Sequence, residues 1–91
     1  MIGYKIVRHY GTYFKPVMRN FPNYYIGKYV DGNSPYWYYD SLNKCRLDKL
    51  LFADFKDICI IEIYVKMNDI LKMFDNSVCI CKGFTPVGIV E

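Results

Sequence analysis

The segment from Asp57 to Met67, DICIIEIYVKM, constrains the fold more than any other stretch of the chain. Cys59, Ile61, Ile63 and Val65 are uniformly apolar, whereas Ile58, Ile60, Glu62, Tyr64 and Lys66 turn from apolar to polar along the segment. Successive side chains of a strand point to opposite faces, so this pattern reads as a strand with one face wholly in the core, and hence a central one. The same alternation opens the chain. In IGYKIVR, residues 2–8, Ile2, Tyr4 and Ile6 share one face while Lys5 and Val7 share the other. Gly11 marks a turn, and the β-rich TYFKPVM, residues 12–18, completes a hairpin. Pro16 has no N–H to donate to a ladder, which places this second strand at an edge or gives it a bulge.

Further on, RNFPNY (19–24) supplies loop residues, YYIGKYV (24–30) reads as a third strand, and DGNSP (31–35) carries the strongest turn signal in the chain. In DSLNKCRLDKLLFADF, Asp40 or Ser41 can cap a helix of about three turns, because a side-chain oxygen there accepts from an otherwise unpaired backbone N–H. Leu47, Leu50, Leu51 and Phe55 fall on one stripe at helical spacing, the expected buried face. DILKMF and VCICKGF flank a turn at 75–77 and read as a second hairpin, with TPVGIVE as a last short strand. Runs of strands around one helix, without a βαβ rhythm, mean α+β. We expect an antiparallel sheet of five to seven short strands packed against one α-helix, with residues 1–91 forming a single domain.

Four cysteines, Cys45, Cys59, Cys79 and Cys81, are separated by 13, 19 and one residue, which matches no C-x2-C zinc pair. They read as free thiols that pack as small hydrophobes, and no metal or cofactor is expected. Lys5 and Arg8 interrupt the first apolar stretch, and no A-x-A cleavage pattern follows, so no secretory signal is read. No apolar run approaches the roughly 18 residues of a membrane-spanning helix. The expected location is the cytoplasm, that of the host if the chain is viral.

Catalytic chemistry finds little support. His9, the single histidine, has no carboxylate or cysteine at a motif spacing. Asp54, Asp57, Asp69 and Asp75 lie where turns use aspartate for geometry. The glycines of YGTYF, IGKYV and VDGNS stand alone, without the spacing that wraps backbone N–H groups around a phosphate.

Surfaces are more informative. The first thirty residues carry Lys5, Arg8, Lys15, Arg19 and Lys28 and no acid, whereas the remainder holds seven basic and nine acidic residues. Among those five cations lie Tyr4, Tyr10, Tyr13, Phe14, Tyr24, Tyr25 and Tyr29, a recipe of stacking rings along a positive track that single-strand-binding sheets use. SPYWYYD, residues 34–40, sets four aromatics in a row. Tyr36 and Tyr38 would point one way, Trp37 and Tyr39 the other. Trp37, the only tryptophan, is the expected core member, which leaves Tyr36 and Tyr38 as contact residues.

The runs YKIVR, YYIGKYV, YWYYDSLNKC and ICIIEIYVK resemble those of small tyrosine- and lysine-rich accessory proteins of bacteriophages and mobile elements. That resemblance implies binding and blocking of a host factor. We therefore expect a non-enzymatic macromolecule-binding module that acts on a host protein with an acidic surface. Tyr36, Trp37, Tyr38 and Tyr39 would anchor the contact, and the five N-terminal cations would steer it. The alternative is a single-stranded nucleic-acid binder using the basic, aromatic N-terminal face. A third outcome, a small-ligand binder or small enzyme, needs a concave pocket lined by converging polar groups. An edge strand at Pro16 also leaves a homodimer open.

Overall fold

The computed structural model describes residues 1–20 and 22–91, with backbone alone at Asn33 and Ser34. The loop expected at 19–24 includes Phe21, which lies outside the described residues. Six strands and one helix follow in the order β1 (Ile2–Tyr10), β2 (Tyr13–Pro16), β3 (Val30–Tyr39), α1 (Leu42–Lys49), β4 (Ile58–Tyr64), β5 (Ile70–Met73) and β6 (Val78–Ile89). A 3-10 turn at Leu50–Phe52 extends α1, and another at Met67–Asp69 precedes β5. The fold is α+β, and every strand pair is antiparallel.

The strands run β2-β1-β3-β6-β4 across the sheet, and β4 returns to pair with β1. The ring β1-β3-β6-β4 is therefore a closed four-stranded barrel, with β2 and β5 as flaps on its outside edges. Closure is uneven. β1 and β4 pair over seven positions, from Ile2 opposite Tyr64 to Arg8 opposite Ile58. β1 and β3 meet only at Tyr4 opposite Tyr39. Past that point the two strands part and leave a cleft in the wall.

Inside the barrel, Val7, Phe14, Tyr24, Val30, Tyr36, Tyr38, Cys59, Ile61, Ile63, Val65, Cys79, Cys81 and Phe84 form one buried cluster. The apolar face read from residues 59–65 is this interior, and β4 is central. A smaller cluster outside the wall joins Ile6, Ile60 and Cys45, with Tyr4, Tyr39, Leu42 and Phe52 packed around them. It glues α1 to the barrel. All four cysteines are free and buried.

Two local features follow from backbone geometry. Gly11 adopts φ +58° at the first hairpin turn, a conformation that favours glycine. At Gly3 the reason is space, because a Cβ there would fall 2.6 Å from Cδ2 of Tyr38.

Three expectations are corrected. Residues 24–30 are not a strand: Tyr24 makes an isolated bridge to Phe14, and a turn follows at 26–27. DGNSP is not a turn but the middle of β3. Val30 and Asp31 pair with Phe84 and Gly83, and Tyr36 pairs with Cys81, so residues 32–35 bulge opposite the single Lys82. Pairing with β6 on both sides outweighs the local turn preference. TPVGIVE is not a separate strand either; it continues β6, whose second half pairs with β4.

The helix is capped as expected, by Ser41, whose Oγ accepts from the Lys44 N–H at 3.3 Å. Its leucine stripe faces the wrong way. Leu47, Leu50 and Leu51 are 64%, 72% and 78% exposed, whereas Cys45 is fully buried, with Leu42 and Phe52 partly so. Asp48 fixes this rotation: its carboxylate accepts from the Tyr39 hydroxyl of β3 at 2.9 Å and pairs with Lys44 at 3.0 Å. Among the described residues, no helix is long and apolar enough to cross a membrane.

Candidate interaction surfaces

The aromatic run 36–39 alternates as a strand must, but in the opposite phase to the one expected. Tyr36 and Tyr38 are buried, at 6% and 1% exposure, and Trp37 is 54% exposed. Register explains it. Tyr36 lies opposite Cys81 and Tyr38 opposite Cys79, both small residues of the barrel interior, so the large rings occupy the space the cysteines leave. Trp37, opposite Ile80, points outward and stacks on Phe74 with centroids 5.8 Å apart. Tyr39 is half-buried against α1. The Tyr38 hydroxyl is buried without a hydrogen-bond partner, and burial pushes its pKa above the ordinary phenolic range. Tyr36 and Tyr38 therefore lie in the core, and Trp37 is the residue of the run most open to solvent.

Lys5 also departs from the basic surface expected of it. It points into the barrel and is 9% exposed. Its Nζ donates to the Trp37 carbonyl across the cleft. It lies 5.5 Å from the Phe84 ring centroid, 5.9 Å from that of Tyr36 and 6.0 Å from that of Tyr24. Those three rings meet edge to face, with centroids 5.1 to 6.5 Å apart. Burial lowers the Lys5 ammonium from 10.5 to about 8. Lys5 shares its strand face with Val7, and the alternation that places Val7 inside places the lysine there too.

The other cations lie outside. Arg8 ties down the chain after β2, with Nε donating to the Pro16 carbonyl at 3.1 Å and Nη2 to that of Arg19 at 2.6 Å. Lys15 donates to the Asn20 carbonyl at 3.0 Å. These bonds use donors but leave the charges unneutralised. Among the described residues the only ion pairs are Lys44–Asp48 and Arg46–Glu91, so Arg8, Lys15, Arg19 and Lys28 have no carboxylate within 4.0 Å.

Three of these cations flank one row of tyrosines. Tyr10 and Tyr13 stack with centroids 5.7 Å apart, and Tyr25 follows Tyr13 at 5.9 Å. Arg8 and Lys15 each sit 5.6 Å from the Tyr10 ring, and Lys28 sits 5.5 Å from the Tyr25 ring. The row is built by the tight β1–β2 hairpin, which places Tyr10 opposite Tyr13, and by the Phe14–Tyr24 bridge, which delivers Tyr25 alongside. Tyr10 and Tyr25 are each 40% exposed. His9, at the end of β1, is engaged by the turn: Nε2 lies 2.7 Å from the Gly11 carbonyl, and the ring stacks on Phe14.

The exposed helix leucines form a second surface, which the sequence assigned to the core. Among the described residues, no group of three or more His, Cys, Asp or Glu side chains is arranged to hold a metal ion. No family model, curated protein or solved structure matches the chain.

Proposed function

We propose that this chain is a non-enzymatic macromolecule-binding module, and that the row Tyr10, Tyr13 and Tyr25 with Arg8, Lys15 and Lys28 binds single-stranded nucleic acid. One observation carries the reading: three consecutive rings are bracketed at both ends by cations that no carboxylate neutralises. Bases stack on such rings whatever their sequence, and the cations follow the phosphates. The test is fluorescence anisotropy of a labelled oligothymidylate across a salt series. With three phosphate contacts, log affinity falls against log salt with a slope of about −2. A flat response, or no binding at low salt, rejects the proposal.

A second reading, an accessory protein that occludes a host protein, is favoured by the outward leucines of α1. Exposed apolar side chains in a group mark interaction sites more often than scattered ones do. Leu47→Gln combined with Leu51→Gln would then abolish capture of a protein partner from nuclease-treated extract and leave oligonucleotide binding unchanged. Retained capture by the double variant removes this reading.

A further inference from the structure

The cleft where β1 and β3 part is a half-open cavity of about 200 Å³. Its floor is Lys5 and its rim is Arg19; apolar walls come from Val17, Met18, Pro35 and Phe52. No carboxylate lines it. We propose that this cavity is a binding site for a small aromatic carboxylate, with the carboxylate on the Lys5 ammonium and the ring against the apolar walls.

The argument begins with an unbalanced charge. Lys5 is nine-tenths buried, and its ammonium has three N–H donors but one protein acceptor, the Trp37 carbonyl. The Tyr24, Tyr36 and Phe84 rings offer the cation their π faces, yet none is anionic. Nor are the neighbouring thiols counter-ions. Burial holds Cys81 up at about 11 and Cys45 at about 12, so both are neutral at physiological pH. The nearest charged group is Arg19, of the same sign, which disfavours the Lys5 charge further. A buried cation facing a second cation across an apolar space lacks only an anion, and a charge-assisted hydrogen bond is among the strongest available there.

Size selects the body of the ligand. A cavity of roughly 150 Å³ accommodates benzene, so about 200 Å³ leaves room for one ring and a carboxylate. The wall is held in place. Arg8 bonds the Pro16 and Arg19 carbonyls from β1, which fixes the 16–19 segment that carries Val17, Met18 and Arg19.

Trp37, the chain's single tryptophan, lines the cleft and reports on it directly. Titration with benzoate is expected to change its fluorescence saturably at millimolar concentration. Benzyl alcohol, of similar shape without the charge, is expected to bind about tenfold more weakly, the cost of one lost charge-assisted bond. Lys5→Met should erase the preference for benzoate, and its melting curve shows whether it folds. Arg19→Gln, at an exposed position, weakens benzoate several-fold without disturbing the core. Raising the pH through 8 and above weakens benzoate but not benzyl alcohol, because the ammonium deprotonates. Equal affinity for the two probes, or a linear response to benzoate without saturation, overturns the proposal. Benzoate binding that survives Lys5→Met does so equally.

Discussion

Cations sit over tyrosine rings in two regions of this molecule, and the two differ in solvent. At the β1–β2 hairpin, Arg8, Lys15 and Lys28 lie 5.5 to 5.6 Å from exposed rings and keep water on their other sides. In the barrel, Lys5 lies 5.5 to 6.0 Å from three buried rings and has almost none. The distances are alike; the consequences are not. An exposed cation–ring contact contributes about 0.5–1 kcal/mol, whereas a desolvated one reaches about 2 kcal/mol. Stripping water from the ammonium costs more than that, which is why burial is the leading cause of the depressed Lys5 pKa. The hairpin therefore holds its charges ready for a partner at little cost to stability, and the barrel holds one charge under tension.

The largest effect that could break this comparison concerns the rings themselves. Tyr36→Ala or Tyr38→Ala empties space inside a narrow barrel and should destabilise by roughly 3–5 kcal/mol, the range for large aromatic truncations. Tyr10→Ala or Tyr25→Ala, at the surface, should stay within about 0.5 kcal/mol. Urea unfolding measures both. Equal losses at the two sites would show that the hairpin row belongs to the core.

Lys5 gives the next effect, through pH. Its folded pKa of about 8 lies below the unfolded value of 10.5, so the unfolded chain binds more protons between those values and stability rises with pH there. Below pH 8 the penalty is fully present; it is relieved as the lysine deprotonates. Cys45 and Cys81, held up at about 12 and 11, act in the opposite sense above pH 9. Comparing wild type with Lys5→Met at each pH cancels the thiols. The stability of the variant relative to wild type should shrink by roughly 3 kcal/mol from neutral pH to 10.5, at about 1.36 kcal/mol per pKa unit. A difference that is constant with pH would mean that water reaches the ammonium.

What the sequence disclosed follows the same division between local and non-local forces. The apolar face from Cys59 to Val65, the hairpin turning at Gly11, the turn at 75–77 and the Ser41 cap are all encoded within a few residues, and each is where the sequence put it. Closure of the barrel is not encoded locally, because it depends on β4 reaching back to β1. The phase of Tyr36–Tyr39 depends on which residues of β6 stand opposite, and rarity of tryptophan is no guide to that. The helix was misjudged because Asp48, bonded to Tyr39 on a distant strand, set its rotation against its own leucines. Of the candidate surface, Tyr10, Tyr13 and Tyr25 were legible as aromatics interleaved with cations. The inward turn of Lys5 was legible too, since it alternates in phase with Val7, but charge suggested the opposite.

Binding distinguishes ring from charge within the hairpin row, with smaller effects. Tyr13 is the middle ring, and Tyr13→Ala interrupts the row on both sides. It should weaken oligothymidylate by about 1–3 kcal/mol, the worth of one stacked base, and leave the salt slope unchanged.

Lys28→Gln tests the charge alone, and its effect is the smallest. The Lys28 side chain is exposed, forms no ion pair among the described residues, and approaches the row only at the Tyr25 ring, 5.5 Å away. Glutamine keeps most of the stem and removes the charge, so one counterion fewer is released on binding. The log–log salt slope should become shallower by about 0.7, the single-strand value per phosphate contact. Affinity falls at low salt, and the wild-type and variant lines converge as salt rises. A ring effect behaves otherwise, because stacking is insensitive to salt and lowers affinity equally across the series. Parallel lines for Lys28→Gln would mean that this lysine acts by holding Tyr25 in place, and the positive track would then end at Tyr10, with Arg8 and Lys15.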